Sequence, residues 1–505
     1  MRRTTRPLFV LLILIGYVVL VARLAGRQSH LLAPDAAILD GVVREIFAGS
    51  TPGRQALVGS IWQGPLPMLL HLSGATILLP FKTLAPAGVP LAVWLSALMV
   101  IAGSLLVLLR SATQTRLPTL PLALLPVLPA GLALALPGSA EALTFPLALL
   151  LVFEGANWLQ SGLLRHLVTM AFVMAALLLC GLQAWGWVIF GALIMLGGGL
   201  ARRRLLRRVP ALLLLGWLPA VYAFAVWALL NWLILGDTVF FLRVLGTMAA
   251  PVRPALAALV QSPWDAAALV VCLTGLVTGI VGRDGRRIGY GLAGLAAFGW
   301  LACLAALNVA WLGQATWLTF YGAALLSLTH LTQVAGRHFA HWTLLWQCAA
   351  IAAIVACGGL RTTLRAPFQS DLSDAEVLAA VTADVQEHSR HARIFVAGYE
   401  GLGLLQSRPE GDDLFTPLMD LHLGSLRHAY WGQTLYILAH KPVGPSLLEN
   451  IIWRAPDFYQ AGAARTLLTG DFGDWRLYEL VTAPTLRELQ HQQSPAEPAD
   501  STGHP

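Results

Sequence analysis

The sequence predicts an all-α polytopic membrane bundle of about eleven transmembrane helices, with a first exterior loop of juxtamembrane helices and a small C-terminal α/β exterior domain. Three observations carry this. Hydrophobic residues fill 57% of the 505 positions and charged residues only 12%, with a mean hydropathy of +0.69; that charge content is about half of what soluble domains carry. Apolar runs of membrane-crossing length recur along residues 1–360. Charge is split along the chain, 22 Arg/Lys against 8 Asp/Glu in residues 1–360 and 11 against 18 in residues 361–505. This composition excludes an ordinary soluble enzyme, a disordered chain, collagen and a small disulfide scaffold.

The runs lie near Pro7–Ala22, Leu91–Leu109, Leu117–Leu136, Leu143–Leu159, Leu167–Leu182, Ala184–Leu200, Ala211–Leu235, Ala266–Val281, Ile288–Leu307, Ala315–Val334 and Trp342–Gly358. A further stretch, Gly64–Phe81, is punctuated by Pro65, Pro67 and Pro80 and reads as a juxtamembrane or re-entrant helix. Basic residues favour the cytoplasmic side of a membrane protein. With eleven spans and the N-terminus inside, 15 Arg fall inside and seven basic residues outside. Counting Gly64–Phe81 as a span would put the Arg202–Arg208 cluster outside, so the expected orientation is N-inside and C-outside in the cytoplasmic (inner) membrane. No small-x-small cleavage site precedes Arg23, which favours an uncleaved first span over a signal peptide.

That orientation divides the chain into a transmembrane module at 1–360, containing the exterior loop 23–88, an exterior α/β domain at 361–488 and a disordered tail at 489–505. The pI of 9.4 comes from the membrane part, where basic loops meet anionic headgroups, so no nucleic acid is implied. All five cysteines sit in apolar segments, which argues against a disulfide framework or a thiolate metal site. In the tail, Ser373-Asp374-Ala375-Glu376 reads as a capping box before Val377, Val381 and Val385 at helical spacing. Three runs read as strands, Arg393–Ala397, Thr434–Ala439 and Trp475–Val481, and Ser446–Trp453 reads as a helix.

In the first loop, Pro34-Asp35 opens an amphipathic helix that closes at Gly49, and Trp62-Gln63-Gly64-Pro65-Leu66-Pro67 leads into an apolar helix. A short turn, Pro137–Glu141, precedes another span, and the tail holds the aromatic strand Trp475-Arg476-Leu477-Tyr478. This layout resembles the membrane glycosyltransferases of the GT-C fold class, which include protein O-mannosyltransferases and lipid A aminoarabinose transferases. Two departures stand out. Asp35 is followed by Ala36 where relatives carry a second acid, and Gln63 stands where some carry a basic residue.

The resemblance implies a polyprenyl-phosphate sugar donor, an envelope acceptor of unknown identity and contact with membrane lipid. Asp35 would be the general base, with Asp40 as the second candidate acid. Arg243 and Arg253, with Arg44, Gln63 and Glu141 as further substrate-binding candidates, would face the donor, since a guanidinium fork suits phosphate oxygens. No cofactor is implied, and a divalent metal stays open.

Each residue also has a plainer reading. Asp35 fits a helix N-cap, Asp40 and Arg44 an i,i+4 ion pair, and Glu141 a cap for the next span. Arg243 and Arg253 fit headgroup anchors, and His388 and His391 a solvated helix end. Glu154 is an ionisable group within or at the inner end of a span, which is a functional hypothesis by default. The competing functions are a transporter or flippase, for which no internal repeat is visible, and a membrane scaffold with an exterior binding domain.

Overall fold

A computed structural model gives the protein's fold. The structure describes residues 5–27, 64–78, 89–114, 125–200, 209–236, 263–306, 313–334, 374–389, 392–397, 414–418, 433–441, 458–463 and 465–481, with the single positions Leu39, Val43, Ile46, Phe47, Val58, Pro80, Thr238 and Leu404. The chain divides into two compact units, Met1–Ala366 and Pro367–Pro505.

The first unit is helical. Its described helices are α1 (Thr5–Arg27), α2 (Pro65–Leu78), α3 (Leu91–Gln114), α4 (Pro129–Ala135), α5 (Thr144–Ser161), α6 (Leu164–Leu178), α7 (Leu182–Leu200), α8 (Val209–Leu235), α9 (Pro263–Gly282), α10 (Gly285–Ala306) and α11 (Gln314–Val334). Among the described residues, six segments are long and apolar enough to cross a membrane: Leu91–Leu109, Ala140–Ser161, Leu182–Leu200, Pro210–Ile234, Asp265–Gly282 and Gly285–Ala306. The chain is therefore a polytopic, mostly helical membrane protein. The expected run Leu117–Leu136 departs from one continuous span: its described half is a short 3-10 turn at 125–127 followed by the seven-residue α4, which Pro129 opens. The stretch near Trp342–Gly358 lies outside the described residues. At 14 residues, α2 is about 21 Å long, too short for a hydrocarbon core of about 30 Å.

The core is built around α5, whose Phe145, Phe153, Trp158 and Leu149 are sealed from solvent. Gly162, at φ 67°, ends α5 by giving its N–H to the Trp158 carbonyl at 2.9 Å. α10 approaches α5 with small residues, Gly289 facing Ala156, as helices pack when lipid offers no hydrophobic drive between them. By contrast α8 keeps Leu214 and Tyr222 exposed on its outside.

The second unit carries α12 (Asp374–His388), β1 (Ala392–Ala397), β2 (Phe415–Leu418), β3 (Thr434–His440), α13 (Phe458–Ala461), β4 (Thr466–Phe472) and β5 (Trp475–Leu480). The sheet order is β2-β1-β3-β5-β4. β1 runs parallel to β2 and β3, and β5 is antiparallel to β3 and β4. Alternation sends Leu435, Ile437 and Ala439 with Phe395, Tyr478 and Leu480 to one face, where Phe458 joins them. Val377, Val381 and Val385 are buried along one side of α12. The three runs read as strands fall on β1, β3 and β5. β2 and β4 add the two edges, and the run Ser446–Trp453 lies outside the described residues.

Candidate functional site

Following the chain through its hairpins assigns each turn to one of two ends of the bundle. The α2 start, the α3 start, the turn before α5, the α6–α7 turn and the starts of α9 and α11 share one end, called here the Ser139 end. The α5–α6 and α9–α10 turns share the other, the Gly162 end.

At the Ser139 end, three hydrogen bonds among the described residues hold the first loop. The Gly64 N–H donates to the Cys180 carbonyl at 3.2 Å and the Leu66 N–H to the Leu179 carbonyl at 3.1 Å. Trp227 Nε1, on α8, donates to the Val58 carbonyl at 2.8 Å, and both residues are buried. Gly64 is required by close approach: a Cβ there would overlap the Leu179 carbonyl. The Gly-Pro-Leu-Pro motif thus meets the α6–α7 turn edge to edge before launching α2.

A small cleft of about 20 Å³, room for about one water, lies between α2, α3 and the Ser139 turn, lined by Leu39, His71, Ser96, Gly138, Ser139 and Leu143 among others. Leu39 and Val43 stand i,i+4 within the stretch read as the first-loop helix, and both are buried. Val43 packs with Ala75 and Leu91. Ser96 Oγ donates to the Ser139 carbonyl at 2.8 Å, pinning the turn to α3. Gly138 sits at φ 73°, and a Cβ there would press on the Val93 nitrogen.

Glu141 is 4% exposed, and its Oε2 accepts the Ala315 N–H at 3.3 Å. This carboxylate therefore caps the start of α11, 174 residues away. Its neighbours Ser139, Ala140 and Ala142 line the cleft. Close to the start of α9, Asp265 is fully buried and accepts the Tyr321 hydroxyl at 2.7 Å. The Tyr321 ring stacks on Trp317 with centroids 5.9 Å apart. Asp35, Asp40, Arg44, Gln63, Arg243 and Arg253 lie outside the described residues.

His71 and Asp265 are buried polar positions, and Ser139 a half-buried one, whose side chains sequence reasoning did not nominate. His71 had only its place in a Pro-punctuated apolar helix as a signal, and Asp265 stood out only as the last charge before a span. Among the described residues no group of three or more His, Cys, Asp or Glu is arranged to hold a metal ion.

No protein-family model and no curated protein matches the chain. Among solved structures, the chain is similar to ArnT from Cupriavidus metallidurans bound to undecaprenyl phosphate, at 12% identity and a TM-score of 0.45, over 93% of this chain and 98% of that one. It is also similar to the same protein in the apo state, at 13% identity and a TM-score of 0.34, over 94% and 98%. Likeness at this level supplies no residue correspondence.

Proposed function

We propose that this chain is a glycosyltransferase of the cytoplasmic membrane, moving a sugar from a polyprenyl-phosphate-linked donor to an envelope acceptor on the exterior face. One observation carries the reading. Leu39 of the first-loop helix, the helix launched by Gly64-Pro65-Leu66-Pro67 and the Ser139 turn are far apart in sequence, yet all three border one cleft. These are the segments that the sequence layout nominates for donor and acceptor.

In this reading the Ser139 end is exterior, and the same orientation carries Pro367–Pro505 to that side. Asp35 is the general base that takes the proton from the acceptor hydroxyl or amine as the bond to the sugar forms. The departing lipid phosphate gathers negative charge, which Arg243 and Arg253 oppose, with Arg44 and Gln63 beside them. The Cys180, Leu179 and Val58 contacts support a fixed path for the loop, because positioning groups contribute to rate only when their own placement is rigid. Glu141 acts indirectly, holding the start of α11 against the cleft wall.

The test is mass spectrometry of envelope glycans and lipid-linked sugars in a deletion strain, complemented with wild type or Asp35→Asn. Loss of the protein is expected to accumulate a polyprenyl-linked sugar and remove a glycan that the Asp35→Asn variant does not restore. A solute uptake defect with unchanged glycans would replace the reading with transport.

A further inference from the structure

The Gly162 end carries polar chemistry that the proposed reaction does not use. There the α9–α10 turn places three arginines within five residues, Arg283, Arg286 and Arg287, around a single acid, Asp284. The turn is locked against α5: a Cβ at Gly285 would press on the Leu159–Gln160 peptide. Asp284 Oδ1 accepts the Arg286 N–H at 3.0 Å, and its Oδ2 pairs with Arg287 Nε at 3.1 Å. That carboxylate is therefore committed to capping α10 and to one guanidinium.

Arg286 is treated differently. It is half-buried, and its Nε donates to Oδ1 of Asn157 at 3.3 Å; Asn157 is 7% exposed. Among the described residues its two Nη groups have no partner. A neutral amide aims the guanidinium but does not neutralise it. Arginines that merely satisfy a topology rule snorkel outward and keep their hydration; one folded back onto a buried amide loses part of that hydration and needs an anion to offset the loss. Arg283 adds a second sign. It holds φ 52°, a left-handed conformation that favours glycine, so the turn keeps a cation where glycine would be less strained.

From this geometry we propose that the Arg283–Arg287 turn, oriented by Asn157, binds a phosphate group, supplied by the headgroup of an anionic phospholipid in the leaflet at the Gly162 end. The location suits that source. The turn follows a membrane-crossing helix and precedes another, so it lies at headgroup depth, where basic pockets between helices take anionic lipid. The planar fork of Arg286 presents paired donors to phosphate oxygens, which an ammonium does not. This proposal stands whether or not the Ser139 end performs glycosyl transfer.

The test uses the full-length protein in nanodiscs of phosphatidylcholine alone or with added phosphatidylglycerol, and in phosphatidylcholine with inorganic phosphate. Readouts are the apparent Tm and the lipid retained in native mass spectrometry. Phosphatidylglycerol is expected to raise Tm and to remain bound to the wild-type chain, because a ligand that binds only the folded state stabilises it. Arg286→Ala is expected to lose most of that rise. Should that variant fail to fold, Arg286→Lys keeps the charge without the fork and is expected to retain less lipid. Arg283→Gly separates binding from folding: it relieves the left-handed backbone and raises Tm in phosphatidylcholine, while the phosphatidylglycerol-dependent rise shrinks. An equal rise with inorganic phosphate would support the site with a soluble phosphate as its source. A phosphatidylglycerol effect identical in wild type and all variants, or no effect of either anion on wild type, overturns it.

Discussion

Glu154 Oε2 and His166 Nδ1 meet at 2.5 Å across the α5–α6 hairpin, with both side chains nearly sealed from solvent. Arg165 Nε donates to the other ring nitrogen, Nε2, at 3.4 Å. With Nε2 facing the Arg165 donor, Nδ1 is the nitrogen placed to donate to the Glu154 carboxylate. His166→Ala is expected to destabilise the chain by about 3 kcal/mol, because it removes a principal donor from a buried carboxylate. The double variant Glu154→Leu/His166→Leu is expected to cost less than His166→Ala alone. Thermal unfolding of the wild type, His166→Ala and the double variant checks this, and a double variant that costs more than His166→Ala would refute the coupling.

Glu154 stands out in the sequence as an acid within an apolar run, but its partner does not. The pairing depends on how α5 and α6 slide against each other, and neither helix's periodicity sets that offset. The same holds for Glu141: the turn that carries it is visible as Pro-Gly-Ser, yet its bond to Ala315 requires two distant helix ends to meet. In the second unit β1 and β3 were legible because central strands are apolar on both faces, and β5 because its aromatic and aliphatic residues favour strands. β2 contains Pro417, and β4 contains Gly470 beside a register shift at Leu468. Both are edge strands, where such residues are tolerated and the strand signal fades. The cleft itself was only half legible, since its sequence motifs marked the segments but not their convergence.

Gly64→Ala tests the junction between the first loop and the α6–α7 turn. The added methyl meets a backbone carbonyl, which has no rotamer by which to yield. The Gly64–Cys180 and Leu66–Leu179 bonds should break together, moving the start of α2. In a complementation assay the variant is expected to lose most of its activity, with a loss of stability of about 1–3 kcal/mol. Gly64→Ala with full activity would show that the loop's path is not fixed there.

Tyr321→Phe removes one hydroxyl and leaves the fully buried Asp265 short of a donor at 2.7 Å. The ring and its stacking on Trp317 remain, so packing is preserved. The expected cost is about 1–3 kcal/mol, the range for depriving a buried acceptor of a donor. Asp265→Asn should cost less, since an amide oxygen accepts the same hydroxyl. Tm measurements on the two variants, in the same lipid, order them.

Glu479, on β5, faces Tyr436 of β3 in register and lies close enough to His388 of α12 to interact with its charge. Burial raises the Glu479 carboxyl above the usual carboxylate range, against an opposing pull from His388. Burial likewise pushes the Tyr436 phenol up to about 12. For a carboxyl raised on folding, the unfolded chain ionises first, so the residue costs no stability below the ordinary carboxylate range and an increasing amount as pH rises through that range towards its raised folded value. Glu479→Gln is therefore expected to stabilise the sheet at pH 7, by a few tenths of a kcal/mol after solvent screening, and to have no effect at pH 3. His388 runs the opposite way. Its ring is raised chiefly by a hydrogen bond to the Asp384 carbonyl, so its contribution is present below the ordinary imidazole range and fades as pH rises through its folded value. Hydrogen-exchange rates of β3 and β5 peptides in the full chain, measured from pH 5 to 8, separate the two. The Glu479→Gln gain should be smaller at pH 5, where charged His388 attracts the carboxylate, and larger at pH 8; a gain that shrinks as pH rises would overturn the assignment.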